Sequence, residues 1–149
     1  MISYGKQSIS DKDIQAVVNV LKSEFLTQGP VVEKFENGLK NYFGAKHVCA
    51  VSNGTAALHL AGLALGWQKE DIIITTPMSF LATANCIVYA GATPHFVDID
   101  KITHNIKPSL VEKEIIKISK NGKRVKAIIG VDYAGYPCDW KNLRKIADK

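Results

Sequence analysis

No stretch of the 149 residues approaches the roughly 18 consecutive apolar side chains that a membrane-crossing helix needs. The opening MISYGKQSIS holds no apolar segment of the kind that directs secretion. Together these absences lead to the expectation of a cytoplasmic protein without membrane association. Cysteine is scarce: Cys49, Cys86 and Cys138 are an odd set without a C-x-x-C pair, which argues against a disulfide framework or zinc knuckle and for inert, reduced thiols. Arginine occurs only at Arg124 and Arg144, and no aromatic residues interleave with basic ones as on a base-stacking surface, so nucleic acid is not an expected partner. The signatures H-E-x-x-H, G-x-S-x-G, G-x-G-x-x-G and the Walker phosphate loop are missing. Without clustered His and Cys no metal site is expected, and His47, His59, His95 and His104 are read as structural.

What is present suits one domain with a buried core: 46% of the residues are hydrophobic. The net charge of +5 comes from 19 Lys and Arg against 14 Asp and Glu, much of the excess lying between Lys101 and Lys126. This region reads as a solvated lysine face, with some attraction for phosphate-bearing small molecules. Asp98 and Asp100, alternating at a strand end, read as solvated too. The sequon Asn53-Gly54-Thr55 has no use in a cytoplasmic chain.

Apolar spacing of three and four (Ile14, Val17, Val18, Leu21) predicts a helix over 11–24, with Ser10 as its N-cap. Leu26-Thr27-Gln28-Gly29-Pro30 breaks it, and a second helix is expected over 31–42. After Gly44 short apolar runs alternate with helical stretches: strands are expected at 47–52, 72–75, 95–99 and 125–131, and helices at 55–65, 79–89 and 109–119. Continuous apolar strands separated by helices imply a mainly parallel sheet covered on both faces, an α/β fold. Residues 1–44 then form an N-terminal helical arm and residues 45–149 the α/β domain. The last residues, Trp140 to Lys149, keep helical spacing to the end without a glycine stop, as expected of a chain cut within a longer protein.

In open α/β sheets ligands sit beyond the carboxyl ends of the strands, so the turns that follow the strands carry the chemistry. In Ser52-Asn53-Gly54-Thr55-Ala56-Ala57, small residues and a helix N-terminus suit a phosphate, unless this is an ordinary strand-to-helix turn with Thr55 as cap. Thr76-Pro77-Met78-Ser79-Phe80 places an aromatic at the same edge, either to lie on a flat heteroaromatic ring or to open a helix from the core. Asp132-Tyr133-Ala134-Gly135-Tyr136-Pro137 offers a carboxylate that bonds a ring hydroxyl or a substrate amine, or else caps a turn.

These residues resemble the DegT/DnrJ/EryC1/StrS family of fold-type I aminotransferases acting on nucleotide-linked keto-sugars. The resemblance runs along essentially the whole chain, through Tyr4-Gly5-Lys6-Gln7, Leu26 to Pro30, Val51 to Leu60, Phe80 to Asn85, Ala90 to Pro94 and Phe96 to Asp100. It implies pyridoxal 5'-phosphate as cofactor, with Gly54, Thr55 and Ala56 cradling its phosphate and Phe80 stacking on its ring. By the same resemblance Tyr4 and Glu24, Phe25, Leu26 and Thr27 line the nucleotide-sugar site, and Asp132 lies beside the cofactor oxygen or the substrate. The opening and the Val131 to Gly135 turn are most similar to members that aminate C4 of a UDP-linked 4-keto-6-deoxy-N-acetylamino sugar, with glutamate as donor, in pseudaminic acid biosynthesis. The family's Schiff-base lysine and the acidic partner of its ring nitrogen fall beyond Lys149, so this chain has no catalytic residue of its own and holds only part of the cofactor-binding large domain. A homodimer is implied for the full-length protein. Two other readings stay open: a dehydratase of the same family, with histidine in place of the lysine, and a non-catalytic module that binds a phosphorylated ligand.

Overall fold

The computed structural model describes residues 5–149. These form two compact units, one running to Ala50 and the other from Val51 to Lys149. The first contains α1 (Asp11–Leu21) and α2 (Pro30–Phe43). Ser10 caps α1 as its sequence predicts and completes a capping box: its side chain accepts from the Asp13 N–H, and the Asp13 carboxylate accepts the Ser10 N–H at 2.7 Å. Leu21 ends α1 three residues short of the expected bound, and Ser23 Oγ donates to Val20 O at 2.7 Å. Proline opens α2 at its first turn and Gly44, in the left-handed conformation, closes it.

In the second unit the order is α3 (Gly54–Ala64), β1 (Ile72–Thr75), α4 (Leu81–Tyr89), β2 (Thr93–Phe96), α5 (Pro108–Lys120), β3 (Val125–Ile128), a short 3₁₀ turn (Tyr133–Gly135) and α6 (Trp140–Ala147). The three strands form a parallel sheet in the order β2-β1-β3. Alternate side chains of β1 feed two cores. Ile72 and Ile74 pack with Val111, Ile118 and Leu143 from α5 and α6, while Ile73 packs with Cys86 and Ile87 of α4, Trp67 and Leu58. Every residue of β1 is therefore buried, which is why an unbroken Ile-Ile-Ile-Thr run, rather than an alternating one, encodes the central strand. In β3 the register slips between Ile72 and Ile73, whose partners are Val125 and Ala127. Exposed Lys126 is the extra residue of this bulge, so a lysine interrupts an otherwise apolar strand without entering either core.

One expected strand is absent. Residues 47–52 have strand composition, yet no strand among the described residues pairs with them, and the Ala50 N–H donates instead to Glu36 Oε1 of α2 at 2.7 Å. A strand is defined by its partner, and composition alone supplies none.

Gly62 of α3 lies against Trp67, where an added Cβ would meet Trp67 Cε3 at 2.6 Å. Gly62→Ala is expected to destabilise the second unit by about 1–2 kcal/mol, overpacking outweighing the better helix propensity of alanine. A urea titration followed by tryptophan fluorescence checks this; an unchanged or higher midpoint contradicts it.

Candidate functional site

The topology picks out one edge of the sheet. From β1 the chain crosses to β2 through α4 on one face, and β3 is followed by α6 on the opposite face. Adjacent parallel strands whose connections leave in opposite directions open a crevice at their carboxyl ends, here after β1 and β3. The two strand ends are joined by Thr75 Oγ1, which donates to Ile129 O at 3.2 Å, and by the Ile129 N–H, which donates to Ile74 O at 2.8 Å.

The turn after β1 is held by fully buried Thr76, whose Oγ1 accepts from the Met78 N–H at 3.3 Å and whose carbonyl accepts from Ser79 Oγ at 3.2 Å. It delivers Phe80 to the N-cap position of α4, one residue outside the helix expected to contain it. Phe80 is not a core aromatic: 75% of its surface is exposed. Its neighbours in an open depression of about 470 Å³ are Gly54, Thr55, Ala57, Leu58 and Ala82, so the structure brings the phosphate-suited turn and the aromatic face together.

At the N-terminus of α3 the cap is Asn53, not Thr55: Asn53 Oδ1 accepts the Ala56 N–H at 2.9 Å. Asn53 stands at the extended N-cap position, from which a side-chain oxygen reaches the third N–H of the helix, whereas Thr55 already lies inside the helix. Of the three expected cradle residues, Ala56 thus has its N–H committed to Asn53. The Gly54 and Thr55 N–H groups occupy the first two helical positions, where no carbonyl of the helix reaches them. A Cβ added to Gly54 would meet nothing within 4 Å, and Gly54 and Thr55 both border the open depression. Two N–H donors, the Thr55 hydroxyl and the positive end of a helix dipole suit a phosphate, and the exposed Phe80 ring suits a flat aromatic attached to it.

The turn after β3 is the most tightly organised part of this edge. Asp132 Oδ1 accepts two hydrogen bonds, from the Cys138 N–H at 2.8 Å and from Trp140 Nε1 at 3.1 Å. From the other side Asn105, only 3% exposed, accepts the Tyr133 N–H at 3.0 Å and donates to Tyr136 O at 2.8 Å. Gly130 makes room for the lid of this cluster, since a Cβ there would stand 2.6 Å from Trp140 Cη2. Cys138 Sγ donates to Val131 O at 3.1 Å, and burial, together with the Asp132 carboxylate beside it, pushes this thiol from an ordinary 9.0 up to about 11. Sequence reading singled out Asp132 and missed Asn105 and Trp140, whose partners lie 8 to 31 residues away and leave no local pattern.

The segment expected to line a sugar site belongs to the first unit. Phe25 and Leu26 are exposed, and a Cβ on Gly29 would meet Phe25 Cβ at 2.9 Å, so only glycine lets the loop fold back on itself there. Gln28 adopts a left-handed φ of 49° beside it. Leu26 lines an apolar groove with Val17, Val20, Leu21 and Val31. Tyr4, the remaining expected contact, lies outside the described residues. Asp98 and Asp100 turn out to be engaged in the chain's own turns: Asp98 Oδ1 accepts the Ile99 N–H and Asp100 Oδ1 the N–H groups of Ile102 and Thr103. These bonds from Ile102 and Thr103 lower the pKa of Asp100.

A parallel α/β sheet with an anion-suited helix terminus and an exposed aromatic at its carboxyl edge defines a class of protein that binds ligands at the switch point. The chain belongs to the DegT/DnrJ/EryC1/StrS aminotransferase family, whose sequence profile matches residues 7–149. It is 42% identical over 149 residues to the UDP-4-amino-4,6-dideoxy-N-acetyl-beta-L-altrosamine transaminase of Campylobacter jejuni, covering all of this chain and 38% of that protein. Among solved structures it resembles Helicobacter pylori PseC, an aminotransferase involved in the biosynthesis of pseudoaminic acid, with a TM-score of 0.84 and 35% identity over 98% of this chain and 38% of that one. NtdA from Bacillus subtilis, solved with bound cofactor PMP, gives a TM-score of 0.80 at 32% identity over 94% of this chain and 32% of that one. The chain thus spans a little over a third of the length of the curated relatives it matches.

Two outcomes follow from the geometry. Asn105→Ala leaves the Tyr133 N–H and Tyr136 O without their partner and is expected to cost about 1–3 kcal/mol, read as a lower urea midpoint. Raised above its unfolded value, the Cys138 pKa contributes stability that is complete below pH 9 and is lost as pH rises towards 11. Alkylation of the native chain at pH 8 is therefore expected to modify exposed Cys49 and spare Cys86 and Cys138. Rapid labelling of three thiols contradicts this.

Proposed function

We propose that this chain is the phosphate-holding and ring-stacking part of a pyridoxal-phosphate-dependent aminotransferase of nucleotide-linked keto-sugars. The observation that carries the reading is the meeting of the open Gly54 and Thr55 N–H groups with the exposed Phe80 ring on one depression. In this reading Gly54 and Thr55 hold the cofactor phosphate, with Ala56 supporting the turn through Asn53, and Phe80 covers one face of the ring. The cofactor, when bound, supplies an electron sink that lets an amino group leave one carbon and be delivered to another. The contribution of this chain is to fix the ring's position and exclude water from one side of it.

The relatives, a UDP-4-amino-4,6-dideoxy-N-acetyl-beta-L-altrosamine transaminase and an aminotransferase of pseudoaminic acid biosynthesis, support a UDP-linked amino-sugar pathway. Within it we assign a UDP-linked 4-keto-6-deoxy-N-acetylamino sugar as substrate and glutamate as amino donor, in the making of pseudaminic acid or a related surface sugar. Glu24, Phe25, Leu26 and Thr27, together with Tyr4, are assigned to the sugar site, and Asp132 to the ligand-facing side of the β3 turn. Residues 1–44 are taken as an arm and residues 45–149 as part of the cofactor-binding domain of a cytoplasmic homodimer. The lysine that bonds the cofactor, and the acid that faces its ring nitrogen, are assigned to residues following Lys149.

The test is the absorbance of this chain mixed with pyridoxal phosphate, beside that of a version extended by the downstream coding sequence. A visible band abolished by borohydride is expected only in the extended protein. Phe80→Ala in that protein should weaken cofactor binding about tenfold, a loss of about 1–1.5 kcal/mol. A stoichiometric, borohydride-sensitive band in the 149-residue chain would place the reacting lysine within it and overturn the assignment.

A further inference from the structure

The Asp132 carboxylate is held asymmetrically. The Cys138 N–H and Trp140 Nε1 both donate to Oδ1, the Cys138 thiol, which donates to Val131 O, lies beside the carboxylate, and Oδ2 accepts no N–H or O–H hydrogen bond among the described residues. Asp132 itself is exposed, although the groups that fix it are not loose: Cys138 is buried, and the Trp140 ring is seated against Gly130. A turn-capping aspartate needs neither an indole donor nor a glycine cut away to admit the indole. The arrangement instead locks one oxygen and leaves the other to a ligand, at the carboxyl end of β3, next to the β1 exit that leads to Phe80.

We propose that Trp140 is a positioning residue: its indole N–H orients Asp132 so that Oδ2 accepts a charge-assisted hydrogen bond from a primary ammonium group carried by the bound ring. An ammonium matches the carboxylate in both donor count and charge, whereas a neutral hydroxyl matches it in donor alone. Asn105 supports the same geometry from the opposite side of the turn by tying down Tyr133 and Tyr136. The inference rests on the cofactor-binding function proposed above and assigns the side of the site that recognises the amino form.

The experiment compares two ligands on the extended protein by calorimetry: pyridoxamine phosphate, which carries the ammonium, and pyridoxine phosphate, which carries a hydroxyl in its place. The readout is the ratio of their dissociation constants. Asp132→Asn is expected to reduce the preference for pyridoxamine phosphate about tenfold, and Trp140→Phe about threefold, because a charge-assisted bond is lost in the first and misaligned in the second. A merely structural role would weaken both ligands alike and leave the ratio unchanged; an unchanged ratio in either variant overturns the proposal. If Trp140→Phe fails to fold, Gly130→Ala, whose Cβ would stand 2.6 Å from Trp140 Cη2 and displace the indole, takes its place with the same expected change in the ratio. Failure of the unaltered protein to bind either ligand overturns the cofactor-binding function, and this inference with it. Binding of both ligands with an unchanged ratio in the variants removes only the inference.

Discussion

Four residues of β1 hold the second unit together. Ile73 and Ile74 are entirely excluded from solvent, Ile72 is nearly so, and Thr75 uses its hydroxyl to reach the neighbouring strand. Because β1 is paired on both edges and packed on both faces, it has no freedom to shift, and the two cores it separates are organised by the alternation of its side chains. Each buried isoleucine contributes about 1.5–3 kcal/mol of burial, more than any surface contact in the molecule can offer. The candidate site sits where this strand stops. Thr76 carries the burial one residue further, and four residues later Phe80 is three-quarters exposed.

That abrupt change from buried strand to exposed edge explains why the donors at the edge remain available. The chain satisfies its own polar groups wherever it can: Asn53 takes the Ala56 N–H, and Asp100 gathers two N–H groups of its turn. Around the Asp132 turn, Asn105, Cys138 and Trp140 do the same. At the start of α3 no side chain among the described residues does this for Gly54 or Thr55, because a helix always leaves its first N–H groups over and a single cap reaches only one of them. The suitability of this turn for an anion thus rests on backbone geometry rather than on a basic side chain. This agrees with the lysine excess lying elsewhere, between Lys101 and Lys126.

How far these features could be read from the sequence depends on the range of the interaction behind them. The helices follow from local periodicity and caps, and Ser10 with Asp13 is legible because the whole capping box lies within four residues. β1 is legible because three consecutive isoleucines have no other sensible place. Residues 47–52 have equally strand-like composition and are not a strand, because pairing is a property of two segments. Asn53 rather than Thr55 is the cap through a two-residue difference in where the helix begins, which lies within the ordinary imprecision of helix ends. Asn105 was invisible: it bonds residues 28 and 31 positions away, and nothing beside it in the sequence records them.

The Asp132 turn also carries a local cost that its neighbours must offset. Ala134 sits at φ 51°, a left-handed conformation that disfavours a residue with a Cβ by about 1–2 kcal/mol. An alanine is tolerated there because the residues on both sides of it are tied to buried or ring-backed partners: Tyr133 and Tyr136 to Asn105, and Asp132 to Cys138 and Trp140. Two neutral hydrogen bonds at a buried asparagine contribute about 1–3 kcal/mol together, enough to balance the strain, and the indole and thiol contacts then tip the turn towards one shape. A turn so over-determined holds the Asp132 carboxylate in one orientation, so that under the proposed assignment a ligand meets a carboxylate already ordered and binding need not meet the entropy of ordering it.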